Sequence, residues 1–322
     1  MFTRALHLKT SGLGLVAIGV IAISFAAPLF KLSAPTHPLI AAATRLSFAA
    51  MMWLSVVVII TVKSKTRQPV DISPYRVDRE QLKIAIICAV CYAVHFGAWV
   101  WSLGLTSIIT SATLVTTTPL ILGVIGVVTG QDRPTSRLIL SGLIAAIGVA
   151  GFALEATQSS RDTLAGDALA LLGALAMVPY LLLTRRLGAR LKLAPFSLYT
   201  TGLGALILWV TALFTVPPHV LSLPTGGPLW ALLGAALIPQ MIGHSTLTLS
   251  LRHLTPTEVG IATLIEPAGA ALLAWWWMSE VPSTLTLIAS FVTLSAVSIA
   301  LSQPRSYPPS SPSAPASPPT PP

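Results

Sequence analysis

The chain is predicted to be an all-α integral membrane protein, with ten transmembrane helices arranged as two inverted five-helix repeats. Three observations lead there. The 322 residues are 54% hydrophobic and only 9% charged, whereas soluble domains carry about 25% charged residues. Such a chain cannot keep a soluble surface hydrated. Apolar runs of about 20 residues, the length that spans a bilayer, recur with short breaks. The punctuation also repeats. Asp132-Arg133-Pro134-Thr135-Ser136 and Glu280-Val281-Pro282-Ser283-Thr284 lie 148 residues apart, as do Pro119 and Pro267. A gapless echo of prolines and chain breaks reads as a duplicated unit, which in a hydrophobic chain points first to a transporter.

The ten runs fall at 11–31, 38–62, 82–103, 106–129, 136–154, 164–186, 195–215, 228–251, 256–279 and 283–302. The first follows Arg4 and Lys9 and has small residues near Ala26-Ala27, as a secretory signal would. Nine further spans make it a retained helix or signal anchor. Residues 1–155 form the first repeat, with a basic loop at 63–83, and 163–302 form the second. The junction lies near Glu155–Thr163. Because five is odd, the second repeat enters the membrane from the opposite side, so corresponding helices run in opposite directions. Residues 303–322 are Pro/Ser-rich and expected to be a disordered or polyproline-like tail.

Orientation follows from Lys and Arg, which favour the cytoplasmic side. With the N-terminus inside, 16 of the 19 basic residues fall in cytoplasmic segments. Lys31 and Arg161 fall outside, and Arg45 lies within the second run. Both termini are then cytoplasmic, and a bacterial inner membrane is the expected location. The net charge of +9 is a topology signal that also meets anionic lipid, and not a nucleic-acid patch. Trp209, Trp230 and Trp275-Trp276-Trp277 fall near outer helix ends and are expected to be interfacial anchors. Cys88 and Cys91 form a Cys-x-x-Cys inside an apolar run, with no second pair. They read as small residues in a packed helix, so neither metal nor cofactor is expected.

Polar groups in a bilayer core are costly, so they are where function is sought. Glu266 lies eight residues past Glu258, about 12 Å deep at 1.5 Å per residue. His244 lies eight residues before Arg252, at similar depth, and the eighth and ninth runs form a tight hairpin. A His244–Glu266 interaction is expected. Pro267 removes a backbone donor beside the carboxylate. Glu266 fits either a solute or proton site or a protonated group bonded to a neighbouring helix. His244 fits either role too, with Gln240 and Thr248 on its face. Cys88, Tyr92, His95 and Trp99 share one face of the third run, as a cavity wall or as packing. Arg45 is expected to snorkel outward or pair structurally. Tyr180, beside Pro179, is a further wall candidate.

At this point the chain resembles the drug/metabolite transporter superfamily, EamA type. The residues that carry the likeness begin with Thr44-Arg45-Leu46-Ser47-Phe48-Ala49-Ala50. Trp101-Ser102-Leu103-Gly104-Leu105-Thr106-Ser107, Thr118-Pro119 and the Gly130–Pro134 break follow. The second half gives Gly166-Asp167-Ala168-Leu169-Ala170-Leu171-Leu172, Arg185-Arg186, Leu264-Ile265-Glu266-Pro267 and Ser279-Glu280. The first run departs, with Ile23-Ser24-Phe25-Ala26-Ala27-Pro28 where many relatives carry Trp-Gly. The resemblance implies a small-solute permease, often an exporter of amino acids or other metabolites, in a lipid environment. The solute would sit among the third, fourth, eighth and ninth runs, with the first and sixth. A proton is a candidate coupling ion. A receptor or scaffold without net transport is the alternative. An intramembrane enzyme is disfavoured, because Gly243-His244-Ser245 places base and hydroxyl about 100° apart on a helix.

Overall fold

The computed structural model describes residues 2–66, 77–106, 108–129, 135–156, 164–279 and 281–301. Among them the chain is helical throughout, with no strand. The first passage is α1 (Phe2–Ile23) and α2 (Ala26–Lys31), followed by α3 (Pro38–Thr66) and α4 (Arg79–Ser102). Next come α5 (Ile108–Val115), α6 (Thr118–Thr129) and α7 (Ser136–Ala156). The second half holds α8 (Leu164–Leu187), α9 (Leu193–Thr215) and α10 (Gly226–Ala235). A π-helical stretch (Ala236–His244) then leads to α11 (Ser245–Ser250), α12 (Pro256–Thr263), α13 (Glu266–Met278) and α14 (Thr284–Leu301). The Asp132–Pro134 and Glu280 punctuation, the loop at 67–76, the junction at 157–163 and the tail lie outside the described residues.

Among the described residues, seven helical stretches are long and apolar enough to cross a membrane, and Ile139–Gly151 and Thr284–Ala300 are apolar but shorter. Ten were expected from sequence. The fourth expected span falls short because the chain breaks at Thr116–Thr117, leaving helices of 8 and 12 residues. A proline sets each break. Pro119 and Pro267 stand second in α6 and α13, where a missing N–H is tolerated but the preceding turn loses its bond. Leu264 and Ile265 close instead onto the Ile261 and Ala262 carbonyls, at 3.1 and 3.3 Å. Val115 and Thr263, which end the first segments, are 148 residues apart, and so are Thr118 and Glu266, which begin the second. The sequence echo therefore persists as matched backbone breaks.

The helices pack as pairs: α3 on α9, α4 on α8, α7 on α14, and α1 on the π stretch and α11. Lipid offers no hydrophobic drive to pair helices, so close backbone approach through small residues does the work. Gly148 of α7 shows it. A Cβ there would stand 2.3 Å from Thr293 Oγ1 and 3.2 Å from the Ala289 carbonyl of α14. Gly148→Val should destabilise the purified protein by about 1–3 kcal/mol through overpacking, read as a lower thermal midpoint. A midpoint equal to wild type would show that the α7–α14 contact is loose.

Candidate functional site

A cavity with about 740 Å3 of empty space, counting its mouth, opens where six helical passages converge. Ile23 and Ala26 reach it from the ends of α1 and α2, and His95, Phe96 and Trp99 from α4. The break between α5 and α6 supplies Val115, Thr116 and Thr118. Met177, Tyr180 and Leu181 come from α8, and His244, Leu247 and Thr248 from the π stretch and α11. The second broken passage adds Val259, Gly260, Thr263 and Glu266. Apolar and aromatic groups make most of this wall, with a few convergent polar atoms, which is how small-solute sites are built. Thr118 and Glu266 hold matching positions, each the first residue after a break. Glu266 thus sits at a helix N-terminus, where a negative charge is favoured.

Beneath the cavity runs a buried polar chain. Arg45 of α3 is fully buried, and its Nη2 donates to Gln240 Oε1 at 2.9 Å. Its guanidinium lies 4.4 Å from the Phe96 ring centroid and 5.3 Å from that of Phe30, within cation–π range. Among the described residues its Nε and Nη1 have no hydrogen-bond partner. Gln240 also contacts the Tyr92 hydroxyl. Tyr92 donates to the Tyr180 hydroxyl at 3.1 Å, and the rings stack with centroids 4.6 Å apart. The Tyr180 hydroxyl meets Thr248 Oγ1 at 2.8 Å. His95 bonds the Gly173 carbonyl through Nδ1 at 2.9 Å. A carbonyl only accepts, so Nδ1 carries the proton and Nε2 of a neutral ring is left as an acceptor. Arg45 and Glu266 lie within electrostatic reach of one another, and among the described residues no ion pair joins them. The Trp99 Nε1–H is a further buried donor with no partner among the described residues.

A family model described as EamA-like transporter family matches residues 10–154 and again 164–302. The chain belongs to the EamA-like transporter family. It is an integral membrane protein whose family moves small molecules across membranes. No curated protein matches the sequence. A crystal structure of another protein is similar in fold, with a TM-score of 0.72 at 14% identity, over 91% of this chain and 97% of that one. In this EamA-like chain the two matched segments each contain one of the two breaks at Pro119 and Pro267, and both breaks reach the cavity.

The structure brings most of the sequence candidates together. Glu266, His244, His95, Trp99 and Tyr180 line the cavity. Tyr92 and Gln240 line a smaller void beside it, too tight for a water, which shares Tyr180, His244 and Thr248 with the cavity. Two expectations change. Of the two readings of Arg45, outward snorkelling fails, because α3 packs against α9 and encloses the side chain, which bonds Gln240 instead. No hydrogen bond joins His244 to Glu266 among the described residues. The His244 ring instead meets Tyr92 and Phe96 edge-on, at 5.9 and 5.3 Å. His95 finds its partner in the Gly173 carbonyl of α8. Trp209 is half-buried and donates to Ser47 Oγ at 3.0 Å, whereas Trp230 and Trp276 are exposed as anchors would be. Met177, Leu181, Thr116 and Thr263 were missed, because apolar and hydroxyl residues in membrane helices carry no distinguishing signal.

Proposed function

We propose that this chain is a secondary transporter that moves a small metabolite, an amino acid or related solute, in the export direction by alternating access. Its ten helical passages would form two inverted five-helix repeats, with both termini cytoplasmic in a bacterial inner membrane. The observation that carries this reading is the meeting of two matched broken helices at one largely apolar cavity that holds a few convergent polar groups. The pairing pattern supports it as well. Exchange of the halves carries α4 on α8 into the π stretch and α11 on α1, and leaves α3 on α9 and α7 on α14 unchanged. Two halves related in this way can trade conformations around a shared site.

Within the cavity, the carboxylate of Glu266 would take the amino group of the solute or a coupling proton. His95 and His244 offer hydrogen bonds, and Trp99, Phe96 and Tyr180 hold the apolar part. Purified protein in liposomes should move labelled amino acids faster under a pH gradient. Glu266→Gln keeps the shape but cannot carry the charge, so gradient-driven flux should fall about tenfold or more. Equal flux in wild type and Glu266→Gln would remove the carboxylate from the mechanism. Absence of flux across a broad solute panel would favour a scaffold.

A further inference from the structure

We propose that the stacked Tyr92–Tyr180 pair is a gate on one solute path, closing it between the outer cavity and an inner, hydroxyl-lined chamber that is collapsed in this structure. The inference rests on the transport reading. The smaller void is bounded by Trp53 of α3, Ser197, Thr200 and Thr201 of α9, and Gln240 and Ser245 near the π stretch, which close on one another too tightly to admit a water. Its wall has a different chemistry from the cavity. Thr200 and Thr201 donate to the Ser197 carbonyl at 3.1 and 2.7 Å. Each hydroxyl therefore keeps its lone pairs free to accept. Once opened, such a wall would meet a polar solute or water with acceptors already in place.

Tyr180, His244 and Thr248 border both spaces, and Tyr92 borders the inner one. The two tyrosines therefore stand at the partition. Tyr92 belongs to the first half and Tyr180 to the second, so movement of α4 against α8 separates them. Their contact is one stack and one hydrogen bond, each of modest worth. The guanidinium of Arg45 fixes Gln240, which steadies Tyr92 from behind.

The far end of the inner chamber is closed by a second layer. Arg185 of α8 donates to the Leu251 carbonyl, and Arg252 donates to the Leu191 carbonyl. Gln81 and Lys192 exchange two bonds, at 3.4 and 3.2 Å. Ser197 lies one turn and a half from Lys192, about 7 Å along α9. The chamber is thus held between the tyrosines and this clasp, as a path closed toward that end would be.

Thiol labelling reads the path without any solute, so its result is separable from the flux assay. Full-length protein in nanodiscs, with Cys88→Ala and Cys91→Ala, carries one new cysteine, either Ser197→Cys or Met177→Cys. The probe is a charged methanethiosulfonate. Met177→Cys should label rapidly in every background. Ser197→Cys should label slowly, and about tenfold faster once Tyr92→Ala is added. Tyr180→Phe keeps the ring but loses both hydroxyl contacts, and should accelerate labelling to a smaller extent. The gate is overturned if Ser197→Cys reacts as fast as Met177→Cys with both tyrosines intact. It is equally overturned if neither tyrosine variant changes the Ser197→Cys rate while the Met177→Cys rate is preserved. Flux failing in liposomes while this pattern holds would reject the cargo reading and keep the gate.

Discussion

Arg45→Met is expected to leave the thermal midpoint of the purified protein within about 3 °C of wild type, while solute flux drops about tenfold or more. The asymmetry follows from how the guanidinium is held. It is fully buried, yet among the described residues two of its nitrogens have no hydrogen-bond partner. A buried charge that is incompletely paired contributes little stability, and replacing it by an apolar side chain of similar volume is often neutral or stabilising by about 1–4 kcal/mol. Loss of the Gln240 bond and two ring contacts works against this gain. The terms oppose one another for folding. They do not cancel for transport, because Arg45 is the buried positive charge that acts on Glu266 and the anchor of the Gln240–Tyr92 contact. Differential scanning fluorimetry beside liposome flux separates the outcomes. A midpoint lower by more than about 8 °C, with unchanged flux per folded molecule, would make Arg45 a structural residue.

The sequence disclosed the framework because the framework obeys local rules. Apolar runs, Pro119 and Pro267 specify helices and breaks through backbone chemistry that needs no knowledge of neighbours. Four of the six stretches that bound the cavity could be picked from their residues, since intramembrane Glu, His and Tyr stand out against leucine and alanine, whereas the first and fourth came only with the family resemblance. The pairings were harder to read. His95 is bonded to a carbonyl of Gly173, and no side chain advertises that acceptor. Arg45 reads as a snorkelling residue by its place near the outer end of its helix. Only the packing of α3 against α9, and the cation–π faces of Phe30 and Phe96, keep it inside. The π stretch at Ala236–His244 was also invisible, although Pro239 within it removes a donor. It alters which side chains upstream of His244 share its face.

Gly260→Val is expected to lower flux about tenfold or more and to destabilise the protein by about 1–3 kcal/mol, whereas Gly260→Ala stays close to wild type in stability. Gly260 lies in α12, where the two broken passages touch. A Cβ there would meet Pro119 Cβ at 3.0 Å, Cγ at 3.2 Å and Cα at 3.3 Å. The proline ring cannot swing aside as a flexible chain would. For alanine the strain of one methyl is offset by its better helix propensity, worth about 0.8–1.0 kcal/mol over glycine. For valine the additional methyls must force α12 away from α6. Those are the cavity's two discontinuous walls, and any exchange of conformation between the halves has to slide one against the other. The comparison between alanine and valine therefore reads the contact itself. Flux falling with side-chain volume at position 260, more steeply than the thermal midpoint, would place the moving surface at Gly260 and Pro119. Flux and midpoint falling in parallel would make the same contact a static one, and movement would then have to occur elsewhere, between α4 and α8.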